Sequence, residues 1–279
     1  MQFIEFIKAA VIGIIQGITE WLPISSTGHM ILAEEFIKLN VSPDFWNLFL
    51  VIIQLGSILA VLFLFFHKLN PFSKRKSPSQ RHDTLTLWLK VIVGAIPAAI
   101  MGFLLDDLIS SVLSGAFVIA GALIIYGILF IVLENRKREP TITTLDGLTY
   151  GTALKIGAFQ VLSLIPGTSR SGSTILGGII VGTSRAVAAE FSFFLAIPIM
   201  LGASLLRTVK FIIGGFSITG TEVGVLIVGV VVAFVVSLFA IKFLMSYIRK
   251  HDFKAFGWYR IILGIVVILY FGAKLFLFK

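Results

Sequence analysis

The chain has 279 residues, is 57% hydrophobic and only 13% charged, and contains no cysteine; its mean hydropathy is +1.02. That balance excludes an ordinary soluble domain and marks a polytopic membrane protein, while the absence of cysteine excludes disulfides, thiolate metal sites and cysteine nucleophiles. The formal charge of +9 does not point to nucleic acid, because the basic residues fall in short loops between apolar runs, where they report orientation across a bilayer.

In chain order, residues 1–40 are an apolar run interrupted near the middle by Pro23, Ser25, Ser26, Thr27 and Gly28. Such a break predicts two half-helices meeting at a non-helical tip, a re-entrant hairpin, with a kinked full span as the alternative. Glu5 interrupts the first apolar turns and no small-residue cleavage site follows, so this segment is expected to stay in the mature protein. A full span is predicted at 44–66, followed by a stretch from Lys68 to His82 with five Lys/Arg and no acid, which should be cytoplasmic. Spans at 84–105 and 112–133 come next, with Asp106-Asp107 expected outside and Arg136-Lys137-Arg138 inside. Residues 146–185 repeat the broken pattern and predict a second hairpin. Spans at 187–209, 222–246 and 258–278 complete the chain, placing 208–221 outside, Arg249, Lys250 and Lys254 inside, and the C-terminus outside, with Arg207 and Lys210 as the exception to the charge rule. Pro97 and Pro198 read as kinks, and Gly13 and Gly17 as a close-packing face. Arg185 and Glu190 read as span-entry residues; Trp258, Tyr259 and Arg260 read as anchors at a cytoplasmic interface.

The two broken segments are related. The first carries Gln16, Ser25 and Gly28, the second Gln160, Ser169 and Gly172, each pair 144 residues apart, with a one-residue slip at Pro23 and Pro166. An offset of about half the chain predicts a duplicated unit, with repeat one at 1–140 and repeat two at 141–279 of a single membrane domain. Each repeat is then one hairpin plus three spans. Three is odd, so the expected fold is an all-α polytopic membrane protein with inverted-topology repeats, whose two tips meet near the bilayer midplane.

The polar chemistry is divided between the copies. Arg170 is costly at membrane depth, by about 2.5–3.5 kcal/mol on insertion scales, and so calls for an anionic partner or substrate. Gly167, Thr168, Ser169, Ser171, Gly172 and Ser173 surround it with hydroxyls, flexible backbone and a helix start, the parts of a phosphate cradle. Pairing with Glu20 or Glu190 simply to hold the repeats together is the structural alternative. In the first copy, Glu20 shares a helix face with Gln16, and Ser26 and His29 lie three apart at the start of the return helix. A carboxylate, a hydroxyl and an imidazole near a phosphate-binding Arg point to acid–base or nucleophilic phosphoryl transfer. Ser26 is the candidate nucleophile, with Glu20 or His29 as base; water attack with Ser26 only binding phosphate stays open. Gln16, Ser25 and Thr27 are candidate substrate contacts, although Ser25 equally suits an N-cap.

The string Gln16-Gly-Ile-Thr-Glu20-Trp-Leu-Pro-Ile-Ser-Ser-Thr-Gly-His29, with Pro166-Gly-Thr-Ser-Arg-Ser-Gly172, resembles the two motifs of bacterial undecaprenyl-diphosphate phosphatases of the bacitracin-resistance type. The resemblance covers the whole chain. It implies hydrolysis of a polyprenyl diphosphate lipid to the monophosphate carrier of peptidoglycan synthesis, in the plasma membrane, at a site facing the extracytoplasmic side. It further implies dependence on a divalent cation, Mg²⁺ or Ca²⁺, for which Glu20 is the leading protein ligand, since the family's other acidic position is Gln16 here. A homodimer is left open. The phosphatidic-acid phosphatase type is disfavoured, because Leu176 stands where its histidine nucleophile would be. A transporter or flippase for an anionic lipid or small anion is the rival reading, because broken helices in inverted repeats also build carriers.

Overall fold

The computed structural model describes residues 2–113, 115–136 and 138–277, without the side chains of 106–112 and 276–277. Among the described residues eleven α-helices follow one another, with a single 3-10 turn at Leu162–Leu164 after the seventh: α1 (Gln2–Thr19), α2 (Ser26–Phe36), α3 (Pro43–Leu64), α4 (Phe66–Leu69), α5 (Pro78–Val112), α6 (Ala116–Asn135), α7 (Tyr150–Val161), α8 (Arg170–Ile180), α9 (Arg185–Ile213), α10 (Gly220–Tyr247) and α11 (Lys254–Leu277). Among the described residues the only β pairing is an isolated bridge between Ile142 and Thr183.

Seven of these helices are long and apolar enough to cross a membrane. Six coincide with the expected spans, and the seventh is α1, expected as half of a hairpin. Its 18 residues make about 27 Å at 1.5 Å per residue, close to the roughly 30 Å of hydrocarbon. The helices α2, α7 and α8, with 11, 12 and 11 residues, reach only about 16–18 Å. The basic stretch expected as one loop from Lys68 to His82 is a loop over 70–77 only, its ends belonging to α4 and to the start of α5, since a helix once nucleated runs on into polar flanks. Pro97 and Pro198 lie inside α5 and α9. The orientation readings on Asp106, Asp107 and Lys137, and the last residue of the 258–278 span, fall outside the described residues and side chains.

Both broken segments restart in the same way. Ser25 caps α2 and Ser169 caps α8, their hydroxyls accepting from the N–H groups of Gly28 at 3.3 Å and Gly172 at 3.1 Å. These two serines, at φ 72° and 73°, are the only non-glycine residues with positive φ among the described residues. Such backbone costs about 1–3 kcal/mol per residue and persists where surroundings over-determine it; here the cap bond fixes each turn. At Gly167, φ is 92° and an added Cβ would strike the carbonyl of Ile119 on α6, so no other residue fits.

Each broken segment also closes at its base. In the first, Lys8 Nζ donates to Lys38 O at 2.6 Å and Asn40 N donates to Glu5 Oε2 at 2.9 Å. In the second, Ile142 N donates to Gly182 O at 3.0 Å and Ser184 N to Ile142 O at 2.8 Å. Around them, α1 packs on α10, α7 on α5, and α6 on α11. Small residues set these approaches: a Cβ on Gly13 would lie 2.8 Å from Gly229 O and one on Gly17 2.8 Å from Ala233 O, the close backbone contact expected of membrane helices. Phe191, Phe193 and Phe194 of α9 are fully buried together with Trp21, and this aromatic core backs the two tips.

Candidate active site

The tips meet through one ion pair. Glu20 closes the last turn of α1, its N–H donating to Gln16 O at 3.0 Å, and Arg170 opens α8. Arg170 Nη2 donates to Glu20 Oε1 at 2.9 Å across 150 residues of sequence. The side chains are only 11% and 7% exposed. The other carboxylate oxygen, Oε2, accepts from Gln16 Nε2 at 3.0 Å and from Ser26 Oγ at 3.3 Å, so Glu20 draws together an amide, a hydroxyl and a guanidinium.

Arg170 is fixed from its other side by Ser192, with Nη1 donating to the carbonyl at 2.9 Å and the hydroxyl at 3.3 Å. Its guanidinium carbon stands 5.2 Å from the Trp21 ring centroid, and Thr174 Oγ1 lies 2.6 Å from Ser192 Oγ. Ser171 Oγ reaches the first tip, within 3.1 Å of Glu20 O and 3.2 Å of Leu22 O. Arg170 Nε and Trp21 Nε1 are buried donors with no acceptor among the described residues. A buried donor without a partner costs about 1–3 kcal/mol, and beside a guanidinium it is suited to an incoming oxyanion.

The hydrogen bonds of His29 go outside this cluster. Its Nδ1 is 2.7 Å from Ser25 O and its Nε2 2.7 Å from Tyr259 Oη, with the two rings stacked at 5.6 Å. A carbonyl only accepts, so Nδ1 carries the proton and, in the neutral ring, Nε2 accepts from the Tyr259 hydroxyl. Both ring nitrogens are therefore held by partners other than Ser26.

Of the residues singled out in sequence, Gln16, Glu20, Ser26, Arg170 and Ser171 form one connected cluster. Ser25 and Ser169 hold their hydroxyls in cap bonds, Ser169 Oγ also lying 3.2 Å from Ser171 Oγ. Thr27 is exposed on the first turn of α2. Gly172 N is tied to Ser169, and Ser173 is wholly buried. Glu190 pairs with Lys68 rather than with Arg170, and Arg185 pairs with Glu134.

Two residues read as interfacial anchors belong elsewhere. Tyr259 is the partner of His29. Arg260 is fully buried and donates to carbonyls of both tips, Pro23 O at 3.2 Å, Gly167 O at 3.0 Å and Thr168 O at 2.9 Å. The adjacent Trp258 hid them as an apparent aromatic belt; the signal available was an Arg at the third position of the expected 258–278 span, since an ionisable residue within an apolar segment marks a functional role by default.

For a divalent cation the site offers one carboxylate, Glu20, whose oxygens already accept from Arg170, Gln16 and Ser26. No group of three His, Asp or Glu side chains comes together among the described residues. The donor set does not form a protein cage for a hard cation, which takes six or more oxygens.

Seven helices long and apolar enough to cross a bilayer, with a carboxylate, a hydroxyl and a guanidinium brought together where two broken segments meet, define a multi-pass membrane protein with a buried polar cluster. The family model for bacitracin resistance protein BacA matches residues 9–266, and the chain belongs to that family. It is 55% identical over 277 residues to the undecaprenyl-diphosphatase of Desulfitobacterium hafniense, covering 98% of this chain and 99% of that one. It is 59% identical to undecaprenyl-diphosphatase 1 of Clostridioides difficile, covering 97% of each chain, and 58% identical to an undecaprenyl-diphosphatase of Enterococcus faecalis, covering 96% of this chain and 98% of the relative.

Proposed function

We propose that the chain hydrolyses undecaprenyl diphosphate to undecaprenyl phosphate and inorganic phosphate, returning the carrier lipid to peptidoglycan synthesis. The observation that carries this reading is the contact of Ser26 and Arg170 with opposite oxygens of the same buried carboxylate. The names of relatives at 55–59% identity support it, and the family's name accords with bacitracin resistance. An anion carrier needs charge complementarity and gates, but not a carboxylate bonded to a hydroxyl, so hydrolysis is favoured over transport.

In this mechanism the terminal phosphate displaces Glu20 from Arg170 and takes the guanidinium, including the unpartnered Nε. Ser26 Oγ attacks the terminal phosphorus, and Glu20 Oε2, already bonded to that hydroxyl, takes its proton. The bridging P–O bond breaks and undecaprenyl phosphate leaves. Water then attacks the phosphoserine, giving a proton to His29 Nε2 once Tyr259 has released it. Ser26 leaves with the proton held by Glu20, and inorganic phosphate departs. Were a divalent ion bound with the diphosphate, Glu20 would be the carboxylate able to hold it, and the ion would supply neutralisation of phosphate charge.

We place the two segments as re-entrant hairpins in inverted repeats. Their closed bases support this, as does the exchange in packing by which α1 meets α10 of the second half while α7 meets α5 of the first. The site then opens to the extracytoplasmic side of a bacterial plasma membrane, following the cytoplasmic placement of the basic Lys68–His82 stretch.

Phosphate release by purified protein supplied with a polyprenyl diphosphate tests the activity, and Ser26→Ala tests the nucleophile. Near-normal turnover by Ser26→Ala would replace serine attack with direct attack by water. Single cysteines placed at 40 and at 142, in a chain with none of its own, should each be labelled by an impermeant thiol reagent from one side only, the two sides being opposite; the same side for both refutes the inversion.

A further inference from the structure

Arg260 is 0% exposed, and the acceptors it meets are all backbone carbonyls: Leu123 O at 3.5 Å, Pro23 O at 3.2 Å, Gly167 O at 3.0 Å and Thr168 O at 2.9 Å. Below it lies the ring of Tyr126, 5.5 Å from the guanidinium carbon to the centroid. No carboxylate pairs with it among the described residues. A buried cation without a counter-charge is costly, so this arrangement needs a reason.

The placement supplies one. Pro23 lies two residues before the Ser25 cap, and Gly167 two residues before the Ser169 cap. Arg260 therefore grips equivalent points of the two tips from a third element, α11, while Leu123 O ties the same guanidinium to α6. The side chains that face phosphate, Ser26 and Arg170, begin the helices immediately after those points.

Resting on the phosphatase reading, we infer that Arg260 is a positioning residue that sets the register of one tip against the other, and so the separation of Ser26 from Arg170 across the phosphate. It has a second effect through charge. Glu20 and Arg170 neutralise each other, leaving Arg260 as the uncompensated cation next to the cradle, which raises the potential felt by an anion. Only a planar fork with donors on several edges spans three chain segments at once; an ammonium does not.

The test compares Arg260→Lys and Arg260→Gln with the parent enzyme, measuring phosphate release against lipid concentration together with a thermal melt. Arg260→Lys keeps the charge and loses the fork, so KM should stay within threefold while kcat falls at least about tenfold, toward the roughly hundredfold that a 1 Å misplacement costs. Arg260→Gln removes the buried charge and remains the easier variant to fold; it should lower kcat and also raise KM. In an Arg170→Lys background, the further loss from Arg260→Lys should be under threefold, because the group being positioned is already gone. A folded Arg260→Lys or Arg260→Gln with both constants within twofold of the parent overturns the inference. A parent that releases no phosphate overturns the phosphatase reading instead.

Discussion

Replacing Arg170 with lysine keeps a positive charge beside Glu20 but exchanges a planar fork for a single ammonium. The guanidinium works in two directions at once, Nη2 to Glu20 at 2.9 Å and Nη1 to Ser192 at 2.9 Å. A lysine satisfies one of them. The loss of one hydrogen bond to a charged group is about 1.5–3 kcal/mol. Expressed in the transition state, that lowers kcat/KM about 10- to 150-fold at about 1.4 kcal/mol per decade. Stability should change little, because Glu20 retains a cation. Arg170→Ala is the contrast: it leaves a 7% exposed carboxylate without its partner, at a cost of about 3–5 kcal/mol, and should lose thermal stability as well as activity. Phosphate release from a polyprenyl diphosphate in detergent gives the first quantity, and the melting temperature of the same preparations gives the second. Arg170→Lys with kcat/KM within threefold of the parent would refute the role of the fork, and an Arg170→Ala protein as stable as the parent would refute the ion-pair argument.

Tyr259→Phe removes the hydroxyl donated to His29 Nε2 but keeps the stacked ring; kcat should change several-fold, on the order of one neutral hydrogen bond, and an unchanged kcat would separate Tyr259 from the reaction. Gln16→Glu places a second carboxylate where Gln16 Nε2 now donates to Glu20 at 3.0 Å. Two adjacent carboxylates favour a hard cation, so the Mg²⁺ or Ca²⁺ concentration for half-maximal activity should fall, and a rise or no change counts against Glu20 as an ion ligand. Gly13→Ala pushes a methyl to 2.8 Å from Gly229 O, an overpacking expected to cost about 1–3 kcal/mol and to appear as a lower melting temperature; an unshifted melt would mean α1 and α10 can separate freely.

The spans were legible because hydropathy over about 20 residues needs no knowledge of neighbours, and α3, α5, α6, α9, α10 and α11 all fall where apolar length puts them. The breaks were legible for a local reason too: Ser25 and Ser169 make cap bonds three residues ahead. The Glu20–Arg170 meeting required counting spans, and the count brought two distant motifs to one place. Arg260 and Tyr259 escaped because their partners are 92 to 237 positions away in sequence, and the carbonyls that Arg260 meets leave no residue type to notice. Glu5, which in sequence reads as an interruption of an apolar run, accepts from Asn40 N and, with Lys8, closes the base of the first broken segment. The full length of α1 is not marked in sequence, because Glu5 and Lys8 interrupt its apolar run while the 18 residues of Gln2–Thr19 remain helical.

The Gln16–Glu20 bond has a consequence for how the chain is made. Arg170 leaves the ribosome 150 residues after Glu20, a delay of about 8–30 s at about 5–20 residues per second. Throughout that interval the carboxylate sits in a nascent apolar segment with its eventual counter-ion not yet synthesised. Gln16, one helical turn away, is a partner already present when Glu20 enters the bilayer. The order of synthesis thus gives the early acid an amide neighbour one turn away before its late cation exists.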